Sequence, residues 1–236
     1  MAHGTADWAN RRSLTVVHTG IGDDELAVRL GAVSIYNRAG KTLFWDNFEH
    51  GLARWHYEEH PPNSTVLVVT APIGMGAQAI HFHVANTVNG VCGLSNRVPI
   101  VDTGKVGFEV GFRYEDNCQD LEFRCYVYNG DEYFEYRIYF DLVNMDAYYR
   151  KVGGVWVKFI DNLQRYLYAG YFNLIKLIVN MTTDFYDTLL INGTNHNMQS
   201  FKPVKAASSL AKQVQLVIYY DGQTLGTGDV YIGSVA

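Results

Sequence analysis

Strict alternation of apolar and polar residues is the feature that most constrains what this chain can fold into. Between Gly107 and Tyr114, apolar side chains at positions 108, 110, 112 and 114 alternate with glycines and charged residues. This two-residue period puts successive side chains on opposite faces of a β-strand, and it does not fit an amphipathic helix. The same period continues from Leu121 to Tyr128, with one face made of Leu121, Phe123, Cys125 and Val127 and the other of Glu122, Arg124, Tyr126 and Tyr128. The chain is therefore expected to build its core from strands.

Further strand patterns follow at short intervals, separated by turn-forming residues such as those at 129–131 and 153–154. They cover residues 133–142, 147–152, 155–160, 174–181, 185–191, 213–220 and 229–235. The four strands between 121 and 160 are predicted to form a meander, and residues 206–212 are compatible with a helical turn. Strands that recur at this spacing predict an all-β fold of two packed antiparallel sheets.

The first 42 residues have a different pattern and are predicted to form an extension that precedes a domain at 43–236. Residues 23–30 begin with acidic side chains, carry an apolar stripe and end at Gly31, which predicts one short helix. Strands are expected at 33–36 and 41–45, with a turn between them that closes a hairpin.

Composition and charge limit the classes of function. Hydrophobic residues make up 48% of the chain and charged residues 18%, which suits a packed core. The net charge is −5 and no cluster of lysines and arginines is present, so we predict no nucleic-acid partner. We also predict no membrane partner and no export signal, because no apolar run reaches the necessary length. Cys92, Cys118 and Cys125 lack zinc spacing and are expected to be reduced, partly buried thiols.

Two short motifs at the ends of the predicted domain carry a family resemblance. Residues 46–55, DNFEHGLARW, resemble the opening D-x-F-E-x-G-L-x-x-W of concanavalin-like lectin/glucanase and carbohydrate-binding-module jelly rolls. Residues 228–235, GDVYIGSV, are similar to the last strand of those domains, often written V-Y-I-D-D-V. The resemblance implies a two-sheet antiparallel jelly-roll sandwich whose first and last strands lie together. Gly233 and Ser234 replace the family's acidic pair, which weighs against a cation site there.

The order of helix, strand, Arg/Gly turn and DNFE-type opening resembles uncharacterised jelly-roll proteins from phage and environmental viral sequences. That resemblance implies a non-catalytic structural protein, a virion capsid or decoration component, and hence a location in the virion. It also implies a homo-oligomer or a lattice of like or other structural subunits. The N-terminal extension is expected to make the assembly contacts through Trp8, Leu26, Leu30 and Tyr36.

An excess of tyrosine, 17 residues in 236, supports a carbohydrate-binding module as the alternative function. Alternation cannot place all of these rings in the core, and exposed rings stack on sugars or anchor protein interfaces. The predicted face consists of Tyr126, Tyr128, Tyr133, Tyr139, Tyr148 and Trp156, with Glu122 and Asp131 as acceptors for sugar hydroxyl groups. Cross-strand aromatic pairs that only stabilise the sheet are the other interpretation.

No constellation in the sequence supports catalysis, so we predict that the chain is not an enzyme. HYEEH at 56–60 matches the letters of an inverted zinc-peptidase motif, but two prolines follow it and a solvated loop is expected. A diverged glycosidase is a weaker alternative. Asp120 and Glu122 share a strand face, but the third acid of an E-x-D-x-x-E pattern is missing, and Glu132 and Glu135 point to opposite faces as outward charges.

No cofactor is predicted, and calcium remains an option for a carbohydrate-binding module. His81 and His83 lie two apart on a predicted strand, so they point to one face and can pair on a metal. Two ligands do not make a structural zinc site, which normally has four. Outward polar residues are therefore the preferred interpretation, with His18 or His50 as conceivable third ligands. The other candidates for a cation are Asp46, Glu49 and Asp229.

Overall fold

The computed structural model describes residues 43–59, 63–74, 77–85, 90–100, 104–222 and 227–236, which belong to one compact unit. The predicted helix, hairpin turn and assembly residues Trp8, Leu26, Leu30 and Tyr36 lie outside the described residues, as does His18. The N-terminal extension and its domain boundary therefore stay predictions. No helix in the described part of the chain is long and apolar enough to cross a membrane.

Strands dominate the described residues, which contain a single short 3-10 turn at Leu163–Arg165. The strands are β1 His56–Glu59, β2 Ser64–Val69, β3 Ala79–Val84, β4 Gly90–Pro99, β5 Lys105–Tyr114, β6 Asp120–Tyr128, β7 Glu132–Asp141, β8 Asp146–Arg150, β9 Trp156–Ile160, β10 Phe172–Asn180, β11 Phe185–Ile191, β12 Thr194–Asn197, β13 Val204–Ala207, β14 Gln213–Gly222 and β15 Gly228–Val235.

These strands form two antiparallel sheets, as the alternation predicted. The eight-stranded sheet has the order β1-β4-β14-β6-β7-β8-β9, with β13 paired to β7. The seven-stranded sheet has the order β12-β11-β10-β5-β15-β3-β2. The predicted meander is confirmed, because β6, β7, β8 and β9 are consecutive neighbours.

The core lies between the two sheets and is built from the apolar faces that alternation had assigned inward. Phe112 of one sheet contacts Phe123 of the other, with ring centroids 5.4 Å apart. Phe140 packs on Phe123 at 5.6 Å, and all three rings are fully buried. Because side chains on one strand face the core alternately, the opposite face of each sheet is left for polar and functional groups.

The opening and closing motifs meet, as the resemblance implied. The backbone N–H of Asp46 donates to the Val235 carbonyl at 2.9 Å, and the Val235 N–H donates back at 3.0 Å. One Asp46 carboxylate oxygen accepts from the Phe48 N–H at 2.7 Å, and the other accepts from the Trp55 indole at 3.1 Å. The acid and the tryptophan of the opening motif therefore lock the turn that carries Phe48 into the core.

Three local predictions are wrong. Residues 206–212 are not a helical turn, because the backbone of β13 pairs with β7 and that pairing overrides the helix preference of its alanines. Residues 43–45 are not a strand, since Phe44 packs edge-on against Trp55 at 5.5 Å instead of pairing its backbone. Residues 56–59 are a strand and not a loop, with His56 opposite Ser95 of β4.

The three cysteines are free thiols, as predicted, and are buried rather than only partly buried. Burial raises the pKa of Cys92 to about 12, that of Cys118 to about 11 and that of Cys125 to about 12. Thiols of this kind stay protonated at neutral pH and behave as small apolar groups in the core.

Candidate functional site

The outer face of the eight-stranded sheet concentrates the candidate residues. In β6 the side chains of Leu121, Phe123, Cys125 and Val127 are buried in the core, so the intervening residues project outward. The register then defines rows of neighbours that cross the sheet. One row consists of Glu58, Gly93, Tyr219, Glu122, Tyr139 and Tyr148. A parallel row, separated from the first by the row that contains Arg124, consists of Arg97, Gln215, Tyr126 and Glu135.

A groove of about 1130 Å³ lies over β1, β4, β14 and β6 on this face. Its polar and aromatic lining comes from four strands and from the turn before β1. The residues are Arg54, His56, Glu58, Asn96, Arg97, Arg124, Tyr126, Gln215 and Tyr219. A space of this size accommodates a small ligand or several units of a chain-like one.

Gly93 opens the groove between Glu58 and Tyr219. It is paired with Glu58 on one side and with Tyr219 on the other. A Cβ atom at Gly93 would lie 3.2 Å from the Tyr219 ring and 3.7 Å from the Glu58 Cβ. Any larger residue would therefore fill the space between the carboxylate and the aromatic ring.

Positive charge dominates the groove, although the chain as a whole carries a net charge of −5. Arg124 lies over the Tyr219 ring, with its guanidinium carbon 4.4 Å from the ring centroid. Arg54 and Arg97 are exposed and form no salt bridge with any residue that the structure describes. Two guanidinium groups are thus available for an anionic ligand, and a third lies beside them on an aromatic ring.

A network of buried ion pairs supports this face. Arg137 donates to both Glu122 oxygens, one of them at 2.8 Å, and Arg124 donates to Glu122 at 2.6 Å. Arg137 also donates to Glu135 at 2.8 Å, and Arg150 lies 3.3 Å from the same oxygen. Burial raises the pKa of Glu135, and the nearby Arg137 partly offsets that rise. Three guanidinium groups therefore share two buried carboxylates, which fixes the positions of the arginines on this face.

Aromatic rings continue from the groove along β7, β8 and β9. The Tyr139 ring lies 5.6 Å from Tyr148 and 5.3 Å from Trp156, and the Arg137 guanidinium lies 5.2 Å from the Trp156 ring. Trp156 is 37% exposed, so one part of its ring faces solvent. Arrangements of this kind offer flat, rigid surfaces on which a sugar ring can stack.

The predicted aromatic residues are thus brought to one face, whereas neither of the two predicted acceptors is an open carboxylate on that face. Tyr126 lines the groove, and Tyr128 packs on Tyr133 at 5.9 Å near the turn between β6 and β7. Glu122 is 7% exposed and is committed to arginines, so it is not an open acceptor for sugar hydroxyl groups. Asp131 lies in the turn itself rather than on the face.

Four residues of the groove were not predicted as site residues, namely Arg54, Arg97, Gln215 and Tyr219. Arg124 was predicted to point outward, without a role. A signal for two of them was present. Residues 213–220, QVQLVIYY, alternate with a period of two, so Gln215 and Tyr219 must share the face opposite Leu216 and Ile218. Arg54 and Arg97 carry no such signal, because only the pairing of β1 with β4 brings them together.

The carboxylates on this face do not form a free acid pair. Burial raises the pKa of Asp120, and the Tyr139 hydroxyl donates to it at 2.6 Å. Glu122 and Glu135 do lie on the outer face, but they are buried by the arginines that hold them, so the prediction that they are ordinary solvated charges is wrong. A glycosidase needs one carboxylate as acid and a second as nucleophile or base, and this network offers neither in an available form.

The cation candidates separate clearly in the structure. Both Asp46 oxygens are occupied by protein donors, and Glu49 is an exposed residue outside any ligand group that the described residues form. His81, His83 and Asp229 instead come together on the outer face of the other sheet. Asp229, and not His50, is the third ligand-type side chain. Burial would raise the pKa of Asp229, but hydrogen bonds with His83 and His81 outweigh it and lower that pKa.

Comparison with known proteins identifies the fold. No protein-family model matches the sequence, and no curated protein sequence matches it. The endo-β-1,4-glucuronan lyase of the fungus Trichoderma reesei is similar in structure, with a TM-score of 0.60 over 83% of this chain and 94% of that one, at 14% identity. The chain has a concanavalin-like jelly-roll fold.

Two other solved structures share the concanavalin-like fold. Lectin I-B4 from Griffonia simplicifolia, in a metal-free form, has a TM-score of 0.52 at 10% identity over 83% of this chain and 98% of that one. Alginate lyase vAL-1 from Chlorella virus has a TM-score of 0.52 at 12% identity over 77% and 91%. The predicted resemblance to concanavalin-like jelly rolls is confirmed at the level of the fold.

Proposed function

We propose that this concanavalin-like domain binds an acidic carbohydrate in the groove on the outer face of its eight-stranded sheet. The observation that carries the proposal is the pairing of guanidinium groups with aromatic rings in one open groove. Arg97 and Arg124 stand beside Tyr126 and Tyr219, and the Tyr139–Trp156 surface continues along the same face.

Each part of the groove suits a different part of an acidic sugar. A guanidinium group binds a carboxylate through two parallel N–H donors, and such charge-assisted bonds are shorter and stronger than neutral ones. The ring of Tyr219 offers an apolar surface to the C–H face of a pyranose, and Gln215 offers an amide to its hydroxyl groups. The space above Gly93 leaves room for the sugar ring itself.

The comparisons support this alternative better than our first hypothesis. The sequence favoured a structural protein of a virion, but the similar structures are a lectin and lyases that are named for glucuronan and alginate. Their sequence identities to this chain are 14% or less. They therefore support an acidic carbohydrate as the ligand only in combination with the residues that line the groove. Assembly through the N-terminal extension stays a separate prediction.

Two groove substitutions test the proposal. We expect Arg97→Ala to weaken binding of an acidic polysaccharide by about ten- to a hundredfold, because a charge-assisted hydrogen bond contributes about 1.5–3 kcal/mol. Tyr219→Ala should weaken it by about five- to thirtyfold, since losing one stacking ring costs about 1–2 kcal/mol. Affinity electrophoresis in gels that contain acidic or neutral polysaccharides measures both effects.

Matched controls lie elsewhere on the surface. Arg165→Ala removes an exposed guanidinium from the 3-10 turn, and Tyr171→Ala removes a tyrosine that is 72% exposed outside this face. Both variants should migrate like the wild-type chain. Equal retardation of the wild-type chain and both groove variants would show that binding occurs elsewhere.

A second candidate, cleavage of the bound polysaccharide, is favoured by one observation. His56, Glu58 and Tyr219 are groups that can move a proton, and they line the same groove as the arginines. Burial raises the pKa of Tyr219, so its hydroxyl group stays protonated at neutral pH and can donate a hydrogen bond, although it is a weaker acid than a free tyrosine. Eliminative cleavage would produce a new C=C bond conjugated to the carboxylate, so ultraviolet absorbance after incubation distinguishes cleavage from binding alone.

A further inference from the structure

The outer face of the seven-stranded sheet, the sheet that does not carry the groove, has a compact group of ligand-type side chains. His81 and His83 alternate on β3 and therefore point to the same face. The neighbouring strand β15 places Asp229 directly opposite His83 and Tyr231 directly opposite His81. The antiparallel register thus brings two imidazoles close to one carboxylate, although Asp229 is 146 positions from His83 and 148 positions from His81 in the chain.

Both imidazoles converge on a single oxygen atom. His81 Nε2 lies 2.7 Å from Asp229 Oδ1, and His83 Nδ1 lies 2.8 Å from the same atom. The ligand atoms of all three side chains lie within 4.8 Å of one another. Bonds of about 2.0–2.2 Å to a tetrahedral zinc ion hold neighbouring ligand atoms about 3.3 Å apart. Rotations that separate these atoms by about half an ångström would therefore make room for the ion.

The surroundings hold the ligands in place while leaving an approach from solvent. The His81 ring stacks on Tyr231 with centroids 4.5 Å apart and an interplanar angle of 9°. Both strands are central in the sheet, because β3 pairs with β2 and β15 pairs with β5. The side chains of His81, Asp229 and His83 are 18%, 25% and 38% exposed, so an ion can reach them without local unfolding. Ligands on paired strands are positioned more rigidly than ligands on loops.

We propose that His81, His83 and Asp229 bind Zn²⁺, with water completing the coordination. Two imidazoles and one carboxylate are a donor set that zinc accepts with an open fourth position, whereas calcium takes oxygen ligands only. The bound ion would connect β3 to β15. The sequence offered Asp229 and the two histidines as separate cation candidates, but their meeting could not be predicted, because it depends on the register of β15 with β3.

Calorimetric titration of the untagged, full-length, chelator-treated chain with Zn²⁺ tests the site. We expect the wild-type chain to bind one equivalent of Zn²⁺ tightly. Binding should be at least about tenfold weaker in His83→Gln and in Asp229→Asn. Changes around the ligands of a metal typically weaken its binding by about ten- to a hundredfold, and loss of a ligand itself costs more. His50→Gln removes an exposed histidine outside the group and should leave that equivalent unchanged. Zn²⁺ should also raise the melting temperature of the wild-type chain but not of the two ligand variants, because an ion that binds only the native state stabilises it.

The opposite results would overturn the proposal. Either the absence of a strong equivalent in the wild-type chain, or equal affinity in the wild-type chain and folded ligand variants, would contradict it. If a ligand variant fails to fold, titration of the wild-type chain with Co²⁺ decides. An intense visible ligand-field spectrum is expected from a low-coordinate site, and the weak spectrum of hydrated Co²⁺ alone would reject the site.

Discussion

Replacing Glu122 with methionine is expected to lower the free energy of unfolding by about 3–5 kcal/mol, as removal of one partner from a buried ion pair does. Glu122 is 7% exposed and accepts hydrogen bonds from both Arg124 and Arg137. Its loss leaves three guanidinium groups with the single carboxylate of Glu135. Urea denaturation of the wild-type chain and the variant measures the difference.

A second substitution separates the charge effect from lost packing. In Glu122→Met/Arg137→Met one charge of each sign is removed, so the excess of one positive charge in the wild-type network is retained. We expect this double variant to be more stable than Glu122→Met alone, because no additional buried charge lacks a partner. A loss below about 1 kcal/mol for Glu122→Met, as at exposed ion pairs, would show that the network is solvated.

Phe123→Ala, one position further along β6, is expected to cost about 3–5 kcal/mol for a different reason. The Phe123 ring is fully buried between the sheets, 5.4 Å from Phe112 and 5.6 Å from Phe140. Truncation removes apolar contacts and leaves a cavity that the surrounding strands cannot close. The same denaturation experiment measures it, and the loss should be independent of salt because no charge is removed.

Leu67→Ala provides the comparison for this core substitution. Leu67 is 52% exposed on the outer face of the seven-stranded sheet, so its truncation should change stability by no more than about 0.5 kcal/mol. Similar losses for Leu67→Ala and Phe123→Ala would contradict the placement of the core between the two sheets. Glu122 and Phe123 are adjacent in β6 and point to opposite faces. The results for Glu122→Met and Phe123→Ala together therefore also test the assignment of the two faces of β6.

Much of the fold could be predicted from local pattern. The alternation from Leu121 to Tyr128 placed four apolar side chains inward and Glu122, Arg124, Tyr126 and Tyr128 outward, and the structure confirms that division. The opening and closing motifs predicted that the first and last segments meet, and the Asp46–Val235 pairing confirms it. Both signals are local in the chain or belong to a recurrent fold.

The candidate site depended on information that a single sequence does not carry. Sequence alternation indicates that Glu122 points outward, but not that Arg137 lies beside it and neutralises it. His56 was assigned to a loop because two prolines follow it, yet pairing with β4 makes it part of a strand that lines the groove. Arg97 and Gln215 are neighbours only through the register of β4 with β14. Long-range pairing, rather than propensity, therefore decides which charges meet.

The most direct test of acidic-carbohydrate binding compares one polysaccharide with and without its carboxylates. Isothermal titration of the wild-type chain would use oligosaccharides of a polyuronate and the same oligosaccharides after chemical reduction of the carboxyl groups. We predict binding of the acidic form that weakens with added salt, and binding of the reduced form weaker by about ten- to a hundredfold through loss of the guanidinium–carboxylate bonds. Equal affinity for the two forms, or binding of neither, would contradict the assignment of the arginine-lined groove to an acidic carbohydrate.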